Sequence, residues 1–167
     1  MKLVRKAPFI KLKSRDRTLI LEEDLALLDK RIMEIEERVK KMGPEFHEAF
    51  NQSSETWHDN AVFENARDRQ DLLESELQEL WHVRQRAKVV KPKKSDKVQV
   101  GSKVTLEYNG KSQKLYVVGD WSDRIGQKLG GYTIASKKAP LVAATLGKKA
   151  GDMISFQEKT ITIKEIQ

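Results

Sequence analysis

Two series of apolar residues at alternating spacings of three and four dominate this sequence. Because neither narrow stripe could be buried alone, and because about twenty residues separate them, the sequence predicts an antiparallel coiled-coil hairpin. Gln70 and Arg84 are polar positions in the second seam, where they would fix the register of the two helices. The first series is Leu21, Leu25, Leu28, Ile32, Ile35, Val39 and Met42; the second is Phe63, Ala66, Gln70, Leu73, Leu77, Leu80, Arg84 and Ala87.

The ends of the two helices can be placed from local signals. Gly43-Pro44 predicts a kink or short break in the first helix, which then continues to about Phe50. Thr56 and Asp59 have the spacing of a capping box, so the second helix is expected from there to about Val89. The hairpin therefore spans residues 18–90, with its tip near 51–60.

The pattern changes after a lysine- and proline-containing linker at residues 91–96. Alternating apolar residues from Val98 to Tyr108, followed by Asn109-Gly110, predict a strand and a tight hairpin turn. A short helix is expected at 139–147, with Pro140 at its start and Gly147 at its end. Further strands are expected near 115–118, 132–135, 154–156 and 161–166. The fold class is therefore α+β, with a small antiparallel sheet and one short helix at residues 97–167.

The net charge of +7 is distributed unevenly along the chain. Residues 1–41 carry +4, residues 42–80 carry −8, residues 81–95 carry +6 and residues 96–167 carry +5. The tip of the hairpin is thus acidic, whereas its exit and the linker are basic. Two interpretations of the basic run remain open: a solvated helix end stabilised by the helix dipole, or a contact with DNA or RNA.

Composition excludes several classes of protein. The chain has no cysteine, which removes disulfides, thiol catalysis and cysteine metal sites. His47, His58 and His82 lack the spacing of metal ligands, so no stable metal site and no cofactor of the protein's own is expected. No apolar run reaches 18 residues, and the basic N-terminus lacks the apolar segment of a secretory signal. We therefore expect a cytoplasmic protein.

Two stretches resemble the Gre family of bacterial transcript-cleavage factors. Asp59–Gln70 is similar to that family's Glu-Asn-Ala-Glu-Tyr-x-Ala-Ala-(Arg/Lys)-Glu-Gln-Gln at the start of the second helix. Ala139–Asp152 is similar to its Ser-Pro-(Leu/Ile)-Ala-Arg-x-(Leu/Ile)-(Leu/Ile)-Gly-Lys-x-x-Gly-Asp. Val118-Gly119-Asp120 also fits the end of that family's central strand. The resemblance covers residues 18–167 and leaves 1–17 as a basic N-terminal extension.

The resemblance implies an FKBP-like C-terminal domain and a partner, bacterial RNA polymerase. The C-terminal domain would dock at the rim of the polymerase secondary channel through Lys138, Ala139, Pro140 and Leu141. The coiled coil would enter the channel, where acidic tip residues help to hold a second Mg²⁺ and a water at the polymerase's own active site. The 3′ end of a backtracked RNA would then be hydrolysed. The chain would act as an accessory factor and not as an enzyme.

The candidate tip residues are Glu55, Thr56, Asp59 and Asn60, and they depart from the family's Asp-Leu-x-Glu-Asn. Asp59 keeps the second carboxylate, Thr56 replaces the first, and Glu55 stands immediately before it. Two functions therefore stay open: stimulation of RNA cleavage, or occupation of the channel by a cleavage-deficient factor that regulates or inhibits transcription. The docking segment also departs from the pattern, since Ala143 replaces an arginine and Lys137-Lys138 is basic.

Two other functions are weighed against this one. A polymerase-independent nucleic-acid binder would use the basic surface. A prolyl isomerase would share the FKBP-like fold but needs an aromatic pocket, and several of the few aromatic residues after residue 96 are expected in the core. These are Tyr108, Tyr116, Trp121, Tyr132 and Phe156.

Overall fold

A computed structural model describes residues 17–52 and 61–167 of the chain. At residues 45, 46, 49–52 and 61–63 it describes the backbone only. The predicted extension, apart from Arg17, and the predicted tip residues 55, 56, 59 and 60 lie outside the described residues. The chain divides into two compact units, of which one is residues 27–84 and the other combines residues up to 26 with 85–167. We call the first the hairpin unit and the second the sheet domain.

Two long helices form most of the hairpin unit: α1, Glu22–Gln52, and α2, Ala61–Arg86. α1 continues through Gly43-Pro44 without interruption, so the alternative of a short break is wrong. Pro44 removes one backbone hydrogen bond, but its fixed φ is compatible with a helix and the neighbouring bonds remain. α2 ends at Arg86, three residues before the predicted end, because the chain then enters a strand.

Seven heptad positions of the two helices are buried as predicted, whereas Leu25, Val39 and Ala66 are half-buried. Polar contacts show that the helices are antiparallel. The Arg31 guanidinium contacts the Glu76 carboxylate at 2.8 Å, and Arg84 donates a hydrogen bond to Asp29. Arg84 thus links the helices at its seam position, whereas Gln70 donates to Glu74 of its own helix. Because these ion pairs are half-exposed, they contribute little to stability, and their main effect is on the register of the two helices. The buried seam residues are Leu28, Ile32, Ile35, Met42, Leu73, Leu77 and Leu80.

The sheet domain confirms the α+β class, with one correction to the topology. Six strands lie in the order β5-β6-β4-β3-β8-β7, and β4 pairs with β6 in parallel, so the sheet is mixed and not antiparallel throughout. Residues 119–131 connect these two strands, and that length suffices for a parallel crossover. The elements are β3 Lys103–Tyr108, β4 Lys111–Val118, β5 Lys128–Leu129, β6 Tyr132–Ser136, α3 Pro140–Thr145, β7 Met153–Phe156 and β8 Lys159–Ile166.

Tight turns close the β3–β4 and β7–β8 hairpins of this sheet, as Gly130-Gly131 does for β5–β6. Asn109 and Gly110 have φ of 49° and 71°, which confirms the turn predicted between β3 and β4. Gln157 and Glu158 have φ of 48° and 61° between β7 and β8. The sequence gives no signal for the second turn, because neither residue is of the type that favours positive φ.

The first and last residues of the predicted hairpin, at 18–21 and 87–90, belong to the sheet domain. Thr18–Leu21 (β1) and Ala87–Val90 (β2) form a two-stranded parallel ribbon. Ile20 and Leu21 are 0% and 1% exposed, and Leu21 packs against Val118 and Ile134 of the sheet. The heptad positions Leu21 and Ala87 are therefore strand residues, since a short apolar segment follows the packing surface available to it and not its periodicity.

The two faces of the sheet carry separate apolar clusters. On one face, Val142 of α3 packs against Leu106, Val117 and Ile163. On the other, Val100, Tyr116, Val118 and Ile134 pack with Leu21, and the half-buried Val90 of β2 joins them. The sheet is thus covered on one side by α3 and on the other by the β1–β2 ribbon.

We predict that a carboxylate in the seam disrupts the hairpin unit. Leu77→Asp should lower the free energy of unfolding by several kcal/mol, roughly the cost of burying an unpaired charge among leucines. Leu72→Asp is the matched control, because Leu72 is 72% exposed and Leu77 only 5%. Helicity and melting followed by circular dichroism would measure both. Equal melting of the two variants would contradict the described seam.

Candidate docking site

The predicted docking segment, Lys138–Leu141, connects β6 to α3. Its conformation is set by Ser136, the last residue of β6. The Ser136 hydroxyl donates to the carbonyl of Gly119 at 3.0 Å and accepts the Lys138 N–H at 3.2 Å. The Ala139 N–H donates to the Ser136 carbonyl at 2.9 Å. Pro140 then starts α3, where a missing N–H leaves no helical bond unmade.

The segment alternates between exposed and packed residues. Lys138 and Pro140 are exposed. Ala139 and Leu141 are half-buried and pack against the cluster that contains Val142. The segment thus presents one ammonium group and one proline ring to solvent on a backbone held by its neighbours.

A buried carboxylate lies beneath this segment. The Asp120 side chain is 7% exposed, and its Oδ2 lies 3.1 Å from the Lys137 ammonium, while its Oδ1 lies 3.5 Å from that of Lys138. Oδ2 also accepts the Leu19 N–H at 2.7 Å. Asp120 thus holds both lysines and the backbone of β1 at once.

The neighbouring glycine explains how β1 comes so close. A Cβ atom on Gly119 would lie 2.0 Å from the Leu19 carbonyl oxygen. The Asp120 N–H donates to that same oxygen at 2.7 Å. Only glycine fits at position 119, because any side chain would displace β1.

Sequence reasoning noted Lys137 only as a basic residue of the docking loop and gave Asp120 no place in the site. The available signal was Val118-Gly119-Asp120 at the end of a buried strand. Val118 and Ser136 are partners in the parallel β4–β6 ladder, so the residues that follow the two strands meet at one edge of the sheet. That signal could be used only once the parallel pairing was known.

A second polar cluster joins the first turn of α1 to the loop after β4. Arg124 Nη2 lies 2.7 Å from Asp24 Oδ1 and 2.8 Å from Glu23 Oε1. The Ser122 hydroxyl also donates to Asp24 Oδ1, at 2.8 Å, and the Tyr116 hydroxyl donates to Glu23 at 3.0 Å. Asp24 is fully buried, and no described residue hydrogen-bonds to its Oδ2.

The charges in this cluster perturb one another. The Arg124 hydrogen bond lowers the pKa of Glu23, against an opposing contribution from burial. Burial, followed by the hydrogen bond to Glu23, raises the pKa of Tyr116 to about 12. The cluster fixes the first turn of α1 to the loop after β4.

The predicted tip residues Glu55, Thr56, Asp59 and Asn60 lie outside the described residues, so their geometry is not tested. Among residues 17–52 and 61–167, no group of three or more His, Asp or Glu side chains could hold a metal ion. No helix in that part of the chain is both long and apolar enough to cross a membrane.

Comparison with known proteins supports the resemblance seen in the motifs. Residues 92–167 match the family model described as "Transcription elongation factor, GreA/GreB, C-term". The C-terminal domain belongs to the GreA/GreB family. The docking segment and the sheet from β3 to β8 both lie within this GreA/GreB domain.

Curated relatives and solved structures extend the comparison. The chain is 31% identical over 100 residues to transcription elongation factor GreA of Mesomycoplasma hyopneumoniae (strain 7448), which covers 58% of this chain and 59% of the relative. It is 32% identical over 100 residues to GreA of Rickettsia canadensis, with the same coverage. The chain therefore spans about 59% of the length of these relatives.

Two solved structures are similar to this chain at lower identity. The GreA factor homolog 1 (Gfh1) protein of Thermus thermophilus is 20% identical, with a TM-score of 0.43, over 90% of this chain and 99% of that one. Thermus aquaticus Gfh1 is 21% identical, with a TM-score of 0.43, over 91% and 99%.

We predict that Glu23 makes stability depend on pH. Its pKa in the folded protein lies below the ordinary 4.5, so the unfolded chain binds the proton first as pH falls. The stabilisation by Glu23 should be complete above about pH 5 and lost as pH falls through its folded pKa. Urea unfolding of the wild type and Glu23→Gln should differ by at most about 1 kcal/mol at pH 7, because the pair is partly exposed. The difference should be smaller at about pH 3, below the ordinary pKa of 4.5.

The matched control is Glu37→Gln on α1. Glu37 is exposed and makes no ion pair with any described residue, so its substitution should leave the unfolding curve unchanged at both pH values. A difference for Glu23→Gln that grows as pH falls would contradict the assigned direction.

Proposed function

We propose that this protein is a transcription elongation factor that binds bacterial RNA polymerase. The observation that carries the proposal is the GreA/GreB domain at residues 92–167. Its candidate docking segment exposes Lys138 and Pro140 on a backbone that is hydrogen-bonded to Ser136. The relatives that match are themselves named as transcription elongation factors. The protein would act as an accessory to the polymerase and supply no catalytic centre of its own.

Docking is assigned to Lys138 and Pro140, the two exposed residues of the segment. Pro140 presents a rigid ring, and the Lys138 side chain is 69% exposed although it contacts Asp120. A basic group in this position suits an acidic surface on the partner. Because Ser136 already holds the backbone of the segment, little conformational freedom is lost on binding.

The two helices of the hairpin unit are long. α2 has 26 residues and α1 has 31, which correspond to about 39 and 46 Å of helix at 1.5 Å per residue. A helical pair of this length can carry a few side chains into a channel that a globular domain cannot enter. We propose that the hairpin does so in the polymerase secondary channel.

The chemistry at the tip would use the carboxylates of Asp59 and Glu55. Carboxylate oxygens are the ligands that Mg²⁺ prefers, and two-metal hydrolysis of a phosphodiester needs both ions held near the scissile phosphate. The chain would add ligands for an Mg²⁺ at the polymerase's own active site, and the polymerase would supply the rest. The backtracked 3′ end of the RNA would be the substrate.

Thr56 favours a second candidate function, a factor that occupies the channel without stimulating cleavage. A neutral hydroxyl is a weaker Mg²⁺ ligand than a carboxylate, and Thr56 stands where the Gre pattern has an acidic residue. Such a factor would regulate or inhibit transcription by occupancy alone.

We predict that Lys138→Glu weakens binding to bacterial core RNA polymerase at least tenfold, because it reverses the charge presented to the rim. Lys128→Glu is the matched control, since Lys128 is an exposed lysine of β5 in the same domain. Binding would be measured by fluorescence anisotropy of the labelled full chain, with melting curves to confirm that both variants fold. Equal affinities would remove Lys138 from the docking site, and no binding by the wild type would overturn the proposed function.

We predict that the natural tip stimulates cleavage weakly or not at all, and that Thr56→Asp raises Mg²⁺-dependent cleavage. The assay is release of short 3′ fragments from a stalled, backtracked elongation complex. Asp59→Ala should abolish whatever activity exists and leave polymerase binding nearly intact. Strong cleavage that survives Asp59→Ala would show that the tip carboxylates do not act as proposed. Strong natural cleavage lost in Glu55→Ala would assign the first ligand to Glu55.

A further inference from the structure

Two lysine-rich segments of the sheet domain lie side by side. The end of the segment at residues 91–97 pairs with the turn at 147–149 that follows α3. The Val98 N–H donates to the Lys148 carbonyl, and the Gly147 N–H donates to the Val98 carbonyl, both at 2.8 Å. Lys97 and Lys149 form an isolated antiparallel bridge. We call the five lysines of these two segments the lysine strip: Lys93, Lys94, Lys97, Lys148 and Lys149.

The linker is held in place along its length. The side-chain amide of Gln99 donates to the Lys93 carbonyl at 2.7 Å, and the Lys97 N–H donates to the Ser95 hydroxyl at 3.0 Å. At the start of the linker, Pro92 packs so closely on Gly101 that a Cβ there would lie 2.7 Å from its ring. The lysine strip is therefore a fixed surface feature, and the backbone needs little ordering before a ligand binds.

The strip has an excess of positive charge that its acidic neighbours do not neutralise. Asp96 lies 2.6 Å from the Lys149 ammonium, and Asp152 accepts the Lys149 N–H at 2.8 Å. The other four lysines are exposed, and within the described chain no carboxylate lies within ion-pair distance of their ammonium groups. Four like charges fixed on two adjoining segments repel one another, and a polyanion would relieve that repulsion.

We propose that the lysine strip binds the phosphate backbone of duplex DNA. Lysine is a compact point charge suited to phosphate. Residues 93–97 reach at most about 17 Å when extended, a length over which a duplex presents roughly ten phosphate charges. Residues 91–97 and 147–149 contain no aromatic side chain, and binding of single strands relies on aromatic stacking. They also contain no arginine, asparagine or glutamine for base recognition, so the binding is independent of DNA sequence.

This surface is separate from the docking segment, and the proposal does not rest on the proposed function. The docking segment contains lysines whose charge Asp120 partly neutralises, whereas within the described residues the lysine strip has one ion pair, between Asp96 and Lys149. The two surfaces can therefore be tested by substitutions that share no residue.

The test compares two triple variants of the full chain that change the net charge equally. Lys93→Gln/Lys94→Gln/Lys97→Gln removes the linker half of the strip. Lys40→Gln/Lys111→Gln/Lys128→Gln removes three exposed lysines elsewhere that make no ion pair with described residues. Anisotropy of a labelled 30-base-pair duplex would be followed from 50 to 200 mM salt, without polymerase.

The strip variant is expected to bind the duplex at least tenfold more weakly at 50 mM salt. The slope of log affinity against log salt should fall by about 2 to 3, since each lost phosphate contact removes about 0.9. The control variant should stay within twofold of the wild type. Unchanged folding of both would be confirmed from their melting curves.

Four results would overturn the proposal. Equal losses in the two variants would assign binding to overall charge, and absence of duplex binding by the wild type at 50 mM salt would exclude the strip as a DNA site. Tighter binding to a single strand of the same length would exclude duplex recognition. A strip variant that keeps DNA affinity but loses RNA polymerase affinity would assign the strip to an acidic protein surface. Failure of the proposed function alone would leave the duplex binding of the wild type intact.

Discussion

The sheet domain depends on a close approach between Leu19 and the Gly119-Asp120 pair. Two hydrogen bonds of 2.7 Å join them, one from the Asp120 N–H to the Leu19 carbonyl and one from the Leu19 N–H to the Asp120 carboxylate. The approach is possible only because position 119 has no side chain. Since β1 directly precedes α1, and β2 directly follows α2, the chain both enters and leaves the hairpin from a ribbon fixed in this way.

The Asp120 carboxylate, which binds the Leu19 N–H, also contacts the lysines of the docking segment. Asp120 is nearly inaccessible to water, so its charge needs partners, and these come from the Leu19 backbone and from Lys137 and Lys138. Removal of the carboxylate would leave the Leu19 N–H and the Lys137 ammonium without their acceptor, which costs more than a lost surface ion pair. Asp120 thus stabilises both β1 and the segment that we propose as the docking site for the polymerase.

The parts of the fold predicted from sequence are those with a local physical cause. The heptad seams, the Asn109-Gly110 turn and the helix that begins at Pro140 all follow from spacing or backbone preference within a few residues. The failures have non-local causes. Leu21 continues the first seam by spacing but is buried against Val118 and Ile134, which no local pattern reveals. The parallel β4–β6 pairing likewise depends on where a 13-residue connection returns the chain, not on the strands themselves.

The candidate sites show the same division. Motif resemblance indicated the candidate docking segment. Its lysines contact Asp120, which lies at the end of β4, and only the parallel β4–β6 pairing brings that strand end near the segment. Charge runs are the clearest case: Lys137-Lys138 and Lys93-Lys94 are both lysine pairs in the sequence. In the fold, the first pair flanks a buried carboxylate, whereas the second has no carboxylate within ion-pair distance among the described residues and precedes Lys97, which pairs with Lys149. Charge density at a surface is a property of the assembled backbone, so two identical dipeptides lead to different proposals: a directed contact with a protein in one case, and attraction to a polyanion in the other.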